Sequence, residues 1–285
     1  MGLRLHMSAE IRVMVNGMPG PMALETAKAC VDRGYTLVPF GFTGGSGRVS
    51  DILVQGKARS VKVDLVKGPS FGLQAEALLR TLKAQHPGLI VVDYTHPSAT
   101  LSNLQAYVDC NCDFVMGTTG GDYDQMRALF AKSPSALAVI APNMAKQIVA
   151  LQAALLEMAK RFPASFLGYK LTVTESHQKT KADTSGTAKV HNFSQQHVVT
   201  RASSSSQAMT PHPHPPPQTI VTQLATLTGD KTFTLDDIVK IREEQAQQWF
   251  GVPQEFLEGH AYHTYHLTSP DGSVNFELQH NVSDR

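Results

Sequence analysis

The feature that most constrains this chain is the alternation, through its N-terminal half, of short aliphatic runs with helix-periodic stretches, punctuated by glycine-rich turns. Ile11-Arg-Val-Met-Val15 is an apolar run too short for a helix, and Asn16-Gly-Met-Pro-Gly-Pro-Met22 follows it at once. Such a run reads as a strand buried on both faces. Met22 to Arg33 puts Leu24, Ala27 and Val31 on one helical face and stops at Gly34; Tyr35 to Pro39 reads as a second strand. Further helices are expected over Leu73–Gln85, Leu104–Val108 and Gln125–Phe130, and further strands over Leu89–Asp93, Phe114–Met116 and Leu137–Ile140. This alternation implies an α/β fold whose N-terminal domain, residues 9–144, is a doubly wound parallel sheet of the Rossmann type.

The texture then changes. A long helix is expected from Asn143 to Phe162, with Ile148, Leu151, Leu155 and Met158 at helical spacing. Leu171–Thr174, Ala261–Leu267 and Val274–Gln279 are β-rich or alternating and suit an open sheet. Residues 145–285 therefore read as a second, α+β domain on an open mixed sheet. Residues 190–218 fit neither pattern. They contain Ser203-Ser-Ser-Ser206 and Pro211-His-Pro-His-Pro-Pro-Pro217, have no periodicity and cannot bury a core, so a disordered insert is expected. It interrupts a helix that otherwise runs from Thr187-Ala-Lys189 into Thr219–Leu224.

Composition removes several function classes. With 285 residues, of which 42% are hydrophobic, the chain can bury a sizeable core. A net charge of +1 offers no field for nucleic acid or a membrane surface, and no apolar run is long enough to span a bilayer. Cys30, Cys110 and Cys112 suggest structural thiols in a reducing compartment. No targeting segment is read at the N-terminus, which leaves either a cytoplasmic protein or one whose leader has been removed.

The turn after the first strand is the expected cofactor site. Gly17 permits a sharp bend, Gly20 lets backbone approach a pyrophosphate, and Ala23 lets the helix pack closely on the sheet. The helix start then offers free N–H groups and a positive dipole end to phosphates. The second strand leads into Phe40-Gly-Phe-Thr-Gly-Gly-Ser-Gly-Arg48 without an acid to bond ribose hydroxyls, while Thr43, Ser46 and Arg48 suit a 2′-phosphate. NADPH is therefore the expected cofactor in preference to NADH. Gly117-Thr-Thr-Gly-Gly121 and Ala141-Pro-Asn-Met144 follow later strands, where they line the nicotinamide pocket or serve as plain turns.

The second half carries the proton chemistry. Glu175-Ser-His-Gln-Lys-Thr-Lys-Ala-Asp-Thr-Ser-Gly-Thr-Ala188 sets a histidine and two lysines beside a Ser-Gly-Thr that opens a helix. A donor with near-neutral pKa, fixed positive charge and free N–H groups fit a small, anionic, reducible substrate. His177 is the expected acid and Lys181 the expected cation, with Ser185, Gly186 and Thr187 binding a carboxylate. Glu175 and Asp183 either orient these cations or are simply solvated. His260, His263, His266 and His280 read as residues of a strand face, and no metal is expected.

Val15-Asn-Gly-Met-Pro-Gly-Pro-Met22, Val91-Val-Asp-Tyr-Thr-His-Pro-Ser98, Phe114-Val-Met-Gly-Thr-Thr-Gly-Gly121, Glu175-Ser-His177 with Lys181 and Ser185-Gly-Thr187, and Gly259-His-Ala-Tyr-His-Thr-Tyr-His-Leu-Thr-Ser-Pro270 together resemble dihydrodipicolinate reductase, also called 4-hydroxy-tetrahydrodipicolinate reductase, in its plant and algal form. The resemblance covers nearly the whole chain outside 190–218. It implies NAD(P)H-dependent reduction of a cyclic imine dicarboxylate on the diaminopimelate route to lysine. His177 and Lys181 match the family's catalytic pair, and Gly186 and Thr187 its carboxylate loop. Cofactor contacts are implied at Gly17, Met18, Pro19, Gly20, Pro21 and Met22. They are implied also at Asp93, Thr95, Gly117, Thr118, Thr119, Ala141, Pro142, Asn143 and Met144. A homo-oligomer, dimer or tetramer, and a chloroplast stromal setting are implied as well. In the family the helix follows Ser-Gly-Thr-Ala-Lys directly and more chain follows the position of Arg285. An impaired NAD(P)-binding homologue, or another two-domain amino- or keto-acid dehydrogenase, is the alternative.

Overall fold

The computed structural model describes residues 10–44, 50–68, 74–118, 122–131, 136–141, 143–179 and 219–283. They form two compact units, one ending at Ala141 and one following it.

The first unit is built on a parallel five-stranded sheet in the order β2-β1-β6-β7-β8. Its strands are β1 (Arg12–Asn16), β2 (Thr36–Leu37), β6 (Ile90–Asp93), β7 (Asp113–Met116) and β8 (Ala138–Ile140). From β1 the chain winds one way through α1 (Pro21–Asp32) to β2; from β6 it winds the other way through α3 (Thr100–Asp109) and α4 (Tyr123–Phe130). The strand order therefore reverses between β1 and β6, whose last residues, Asn16 and Asp93, are register partners. Ligands in such sheets bind beyond the strand C-termini at this reversal.

Alternation along β1 divides the core. Val13 and Val15 pack with Ala23, Ala27 and Val31 of α1. Met14 faces the opposite layer, with Leu79 and Leu82 of α2 (Gln74–Gln85), Leu104 and Tyr107 of α3, and Met126 and Phe130 of α4. Cys30, Cys110 and Cys112 are free, buried thiols, as a structural role requires, and burial pushes Cys112 up to about 12.

A second, three-stranded sheet departs from the sequence expectation. The predicted strand Tyr35–Pro39 is only β2, and Phe40–Thr43 forms a separate strand, β3. It pairs with β5 (Ser60–Lys67), which forms a hairpin with β4 (Asp51–Gln55). Ser60-Val-Lys-Val-Asp-Leu-Val-Lys67 alternates with period two, so Val63 and Leu65 reach the α1 core while Lys62 and Asp64 face outward.

The second unit has a mixed sheet, β10-β9-β11-β12, of β9 (Lys170–His177), β10 (Ile238–Ile241), β11 (His260–Thr268) and β12 (Asn275–Ser283). One face is covered by α5 (Lys146–Arg161) and α6 (Ile220–Thr228), which bury Leu171, Val173, Ile238, Tyr265 and Leu267. β10 and the short helix α7 (Glu244–Trp249) were not evident from sequence periodicity. α6 begins with its own cap: the Thr219 hydroxyl accepts from the Thr222 N–H at 3.2 Å. It ends at Gly229 in the left-handed region, φ 74°. The expected insert 190–218 and the helix start at Thr187 lie outside the described residues.

Candidate active site

The turn after β1 is shaped by its glycines. Gly17 has φ 101°, and a Cβ there would lie 2.3 Å from the Tyr94 carbonyl oxygen. Its N–H donates to the Phe42 carbonyl at 2.8 Å. Gly20 donates to the Gly17 carbonyl at 2.9 Å, and a Cβ on Gly20 would meet that oxygen at 2.7 Å. Both glycines are thus demanded by the turn itself, independently of any ligand. Met18 is fully buried and anchors the turn in the core, whereas Pro19, Pro21 and Met22 are exposed. The Met18–Pro19 peptide is cis. α1 starts with no capping side chain and no acid in its first turn. The residues present therefore fit a phosphate group: an exposed turn and a helix start with no competing anion.

Asp93 turns out to face inward. Oδ1 accepts from the Thr95 N–H at 2.8 Å and the Thr95 hydroxyl at 2.6 Å. Oδ2 accepts from Asn103 Nδ2 at 2.9 Å and from the Tyr107 hydroxyl. Asn16 completes the network: its Nδ2 donates to the Tyr107 oxygen at 2.8 Å, and its Oδ1 accepts from the Phe42 N–H at 2.8 Å. Burial, then the adjacent Asp93 charge, raises the Tyr107 pKa well above its ordinary value. The carboxylate thus locks β1, β3, β6 and α3 together at the strand-order reversal. Thr95 belongs to the same network, and the Thr118 hydroxyl donates to the Thr95 carbonyl at 3.2 Å. Asn16, Asn103 and Tyr107 carried no sequence signal, because isolated polar residues in apolar periodic stretches look like surface positions.

Gly117 accommodates the Tyr94 ring: a Cβ at Gly117 would meet that ring at 2.3 Å. Thr43 ends β3 and Ala141 ends the first unit; Asn143 and Met144 open the second. Asn143 Oδ1 accepts from the Ala145 N–H at 2.9 Å, ahead of α5. Ser46, Arg48, Thr119 and Pro142 lie outside the described residues.

In the second unit the helix-covered face of the sheet turns polar at one end. Strand alternation carries Leu171, Val173, Glu175 and His177 on this face of β9, and Ala261, His263, Tyr265 and Leu267 on the same face of β11. Glu175 is 0%, His177 1% and His263 1% exposed. His177 Nε2 and His263 Nε2 are 3.3 Å apart, with ring centroids at 5.0 Å. Glu175 Oε1 accepts from Arg242 at 2.6 Å, and its Oε2 lies 3.9 Å from His263 Nε2. The solvated alternative for Glu175 is therefore overturned; it is a buried ion-pair partner of Arg242, which follows β10. Gln247 of α7 donates to the His177 carbonyl at 2.7 Å and fixes the strand end. Lys181, Asp183, Ser185, Gly186 and Thr187 lie outside the described residues.

The histidines of β11 divide between two faces, because a spacing of three on a strand alternates sides. The strand expectation holds, but a single histidine face does not. His260 points to the opposite face: its Nε2 accepts from the Ser176 hydroxyl at 2.8 Å while Nδ1 donates to the Phe256 carbonyl at 3.0 Å. Burial is the main cause of its lowered pKa. His263 stacks on His280 of β12 at 4.5 Å. Among the described residues, Glu175, His177 and His263 form one group whose donor atoms lie within 4.8 Å of one another. Arg242 already holds one carboxylate oxygen, and the two Nε2 atoms stand at hydrogen-bonding distance. That arrangement suits a shared proton better than a cation.

The parallel sheet with its glycine turn and the appended α+β unit define a two-unit protein of the Rossmann type, and its relatives are oxidoreductases. Residues 11–144 match the family model described as "Dihydrodipicolinate reductase, N-terminus". The chain is 38% identical over 276 residues to 4-hydroxy-tetrahydrodipicolinate reductase 1, chloroplastic, of Arabidopsis thaliana, covering 96% of this chain and 68% of that protein. It is 38% identical over 274 residues to the probable counterpart in Oryza sativa subsp. japonica, with the same coverage. A solved structure of dipicolinate-bound dihydrodipicolinate reductase from Paenisporosarcina sp. TG-14 shares the fold at TM-score 0.50 and 16% identity. It covers 96% of this chain and 89% of that one. The chain belongs to the 4-hydroxy-tetrahydrodipicolinate reductase family, whose members use a nicotinamide cofactor.

Proposed function

We propose that this protein reduces 4-hydroxy-tetrahydrodipicolinate to tetrahydrodipicolinate with NAD(P)H, in the diaminopimelate route to lysine. The observation that carries this reading is the buried His177 cluster, in a chain 38% identical to plant reductases of that name. The cofactor supplies the hydride. The first unit holds it, with the Gly17–Met22 turn and the start of α1 facing its phosphates. Thr43 and Arg48 favour a 2′-phosphate, so NADPH is preferred over NADH. The second unit holds the substrate. The 4-hydroxyl leaves as water, hydride adds to the resulting conjugated imine, and His177 gives a proton to the electron pair left on the substrate; Lys181 sets positive charge beside a carboxylate, and Ser185, Gly186 and Thr187 bind that carboxylate through N–H groups. No helix among the described residues is long and apolar enough to cross a membrane. The plant relatives' names support work in the chloroplast, and a homo-oligomer is the expected assembly.

Coupling the purified chain to dihydrodipicolinate synthase and following NADPH absorbance tests this directly. Substrate-dependent NADPH oxidation is expected, with higher kcat/KM for NADPH than for NADH. Cofactor binding without turnover would identify a non-catalytic homologue instead.

A further inference from the structure

The glycine turn after β1 has a neighbour that lies far from it in sequence. The chain from Thr36 to Phe42 runs alongside β1. The Thr36 N–H donates to the Ile11 carbonyl at 2.9 Å and the Val38 N–H to the Val13 carbonyl at 2.8 Å, while Phe42 bonds Asn16 and Gly17. β3 therefore reaches its last residue, Thr43, just beyond the Gly17 bend. The passage is so close that a Cβ on Gly41 would lie 2.5 Å from the Val15 carbonyl oxygen and 3.4 Å from Met18 Cε. β5 runs parallel to β3, and the two strands end together: Gly41 pairs with Leu65, Phe42 with Val66 and Thr43 with Lys67. The Gly68 N–H donates to the Thr43 carbonyl at 3.4 Å and carries that ladder one residue further.

Alternation decides which way Lys67 points. Val61, Val63 and Leu65 pack with α1 and Met18, whereas Val66 packs with the opposite layer. Lys67 extends the row of Val63 and Leu65, on the side of β3 that holds α1 and the glycine turn, and it is exposed where those two are buried. In sheets of this class an acid at the end of the strand beside β1 bonds the ribose 2′-hydroxyl, whereas a cation there accommodates a 2′-phosphate. Here that end carries Thr43, and its register partner is a lysine.

We propose that Lys67 binds the 2′-phosphate of the cofactor and sets a preference for NADPH over NADH, an inference that rests on the cofactor reading above. An ammonium is a compact point charge with three N–H donors, so a hydrogen bond from Lys67 to another group leaves donors over for a phosphate. A bond between a cation and a phosphate is charge-assisted and strong. The neutral 2′-hydroxyl of NADH gains far less from the same lysine. The residue escapes a reading of the chain because the usual place for this charge is the end of the strand beside β1. Lys67 reaches that place only through the pairing of β3 with β5.

Binding without turnover tests this. Calorimetric titration with adenosine 2′,5′-bisphosphate and with 5′-AMP compares two ligands that differ only in the 2′-phosphate. Wild type is expected to bind the bisphosphate at least about tenfold more tightly, with the difference shrinking as salt rises. Lys67→Ala is expected to weaken the bisphosphate about tenfold and to leave 5′-AMP within about twofold. Lys67→Arg keeps the charge and should retain most of the affinity; Lys67→Glu should remove the preference. The side chain is exposed, so the melting temperatures of these variants should match that of wild type. Equal weakening of both ligands in Lys67→Ala would place the lysine elsewhere on the nucleotide, and no change in either would remove it from the site; each result overturns the proposal. A wild type that does not distinguish the two ligands overturns it as well. In the coupled assay the NADPH-to-NADH ratio of kcat/KM should fall in Lys67→Ala by the same factor as the bisphosphate affinity. A wild type that binds the bisphosphate through Lys67 yet never oxidises NADPH sinks the reductase reading and leaves this one standing.

Discussion

Two buried polar clusters, one in each unit, use similar residues to opposite ends. Around Asp93, both carboxylate oxygens are committed to donors from Thr95, Asn103 and Tyr107, so the charge is consumed in holding strands and a helix in register. Around Glu175, one oxygen is committed to Arg242 and the other stands 3.9 Å from an imidazole. A saturated carboxylate makes a scaffold. A carboxylate between an arginine and a histidine pair sets the charge beside titratable rings. Burial alone does not separate the two cases, since Asp93 and Glu175 are both 0% exposed; the chemistry of the neighbours does.

The sharpest way to break this contrast is in the second cluster. His177→Ala is expected to lower kcat by roughly 10²–10⁴ while NADPH affinity holds, measured by stopped-flow reduction and fluorescence titration. An active His177→Ala enzyme would reduce the second cluster to a structural one. In the first cluster the expected loss is of stability. Asp93→Ala strands the Tyr107 hydroxyl and removes one of two acceptors of the Asn103 amide, and should cost about 2–3 kcal/mol in urea denaturation. A near-neutral result would show that the network is not a scaffold. Gly17→Ala asks whether the adjacent turn is equally constrained. Its positive φ and the 2.3 Å approach to Tyr94 predict a loss of about 1–3 kcal/mol together with weaker NADPH binding.

The smallest effect is one of pH. His260 is buried and its pKa is lowered from 6.5, so the unfolded chain takes up a proton first as pH falls. Stability is therefore expected to decline from about pH 6.5 downward until the folded state also binds that proton. Replacing His260 with Asn should flatten part of that decline in melting curves recorded between neutral and mildly acidic pH. An unchanged slope would mean that His260 is not the group responsible.

Much of this was legible in the chain because burial on two faces and burial on one leave different periodicities. β1, α1, β6 and α5 follow directly from aliphatic runs and helical spacing. The β4–β5 hairpin was missed although Ser60–Lys67 alternates plainly, because no turn of distinctive type marks its boundary. The candidate site was legible only in part. His177 stood out through its neighbours in sequence, whereas His263 and Arg242 reach it from strand pairing across many residues, which local spacing does not encode. The commitment of Asp93 was hidden for a different reason: its partners, Thr95, Asn103 and Tyr107, are near in sequence, but a carboxylate at a strand end looks available until α3 is folded over it.

The self-contained start of α6 has a consequence for how such genes change over time. Because Thr219 terminates the helix with its own hydroxyl, stretches of codons gained or lost upstream need not disturb the packing of Ile220, Val221 and Leu224 beneath the sheet. Length variation within the family is then expected to gather just ahead of this threonine, and the residue itself to resist replacement by anything except serine, aspartate or asparagine.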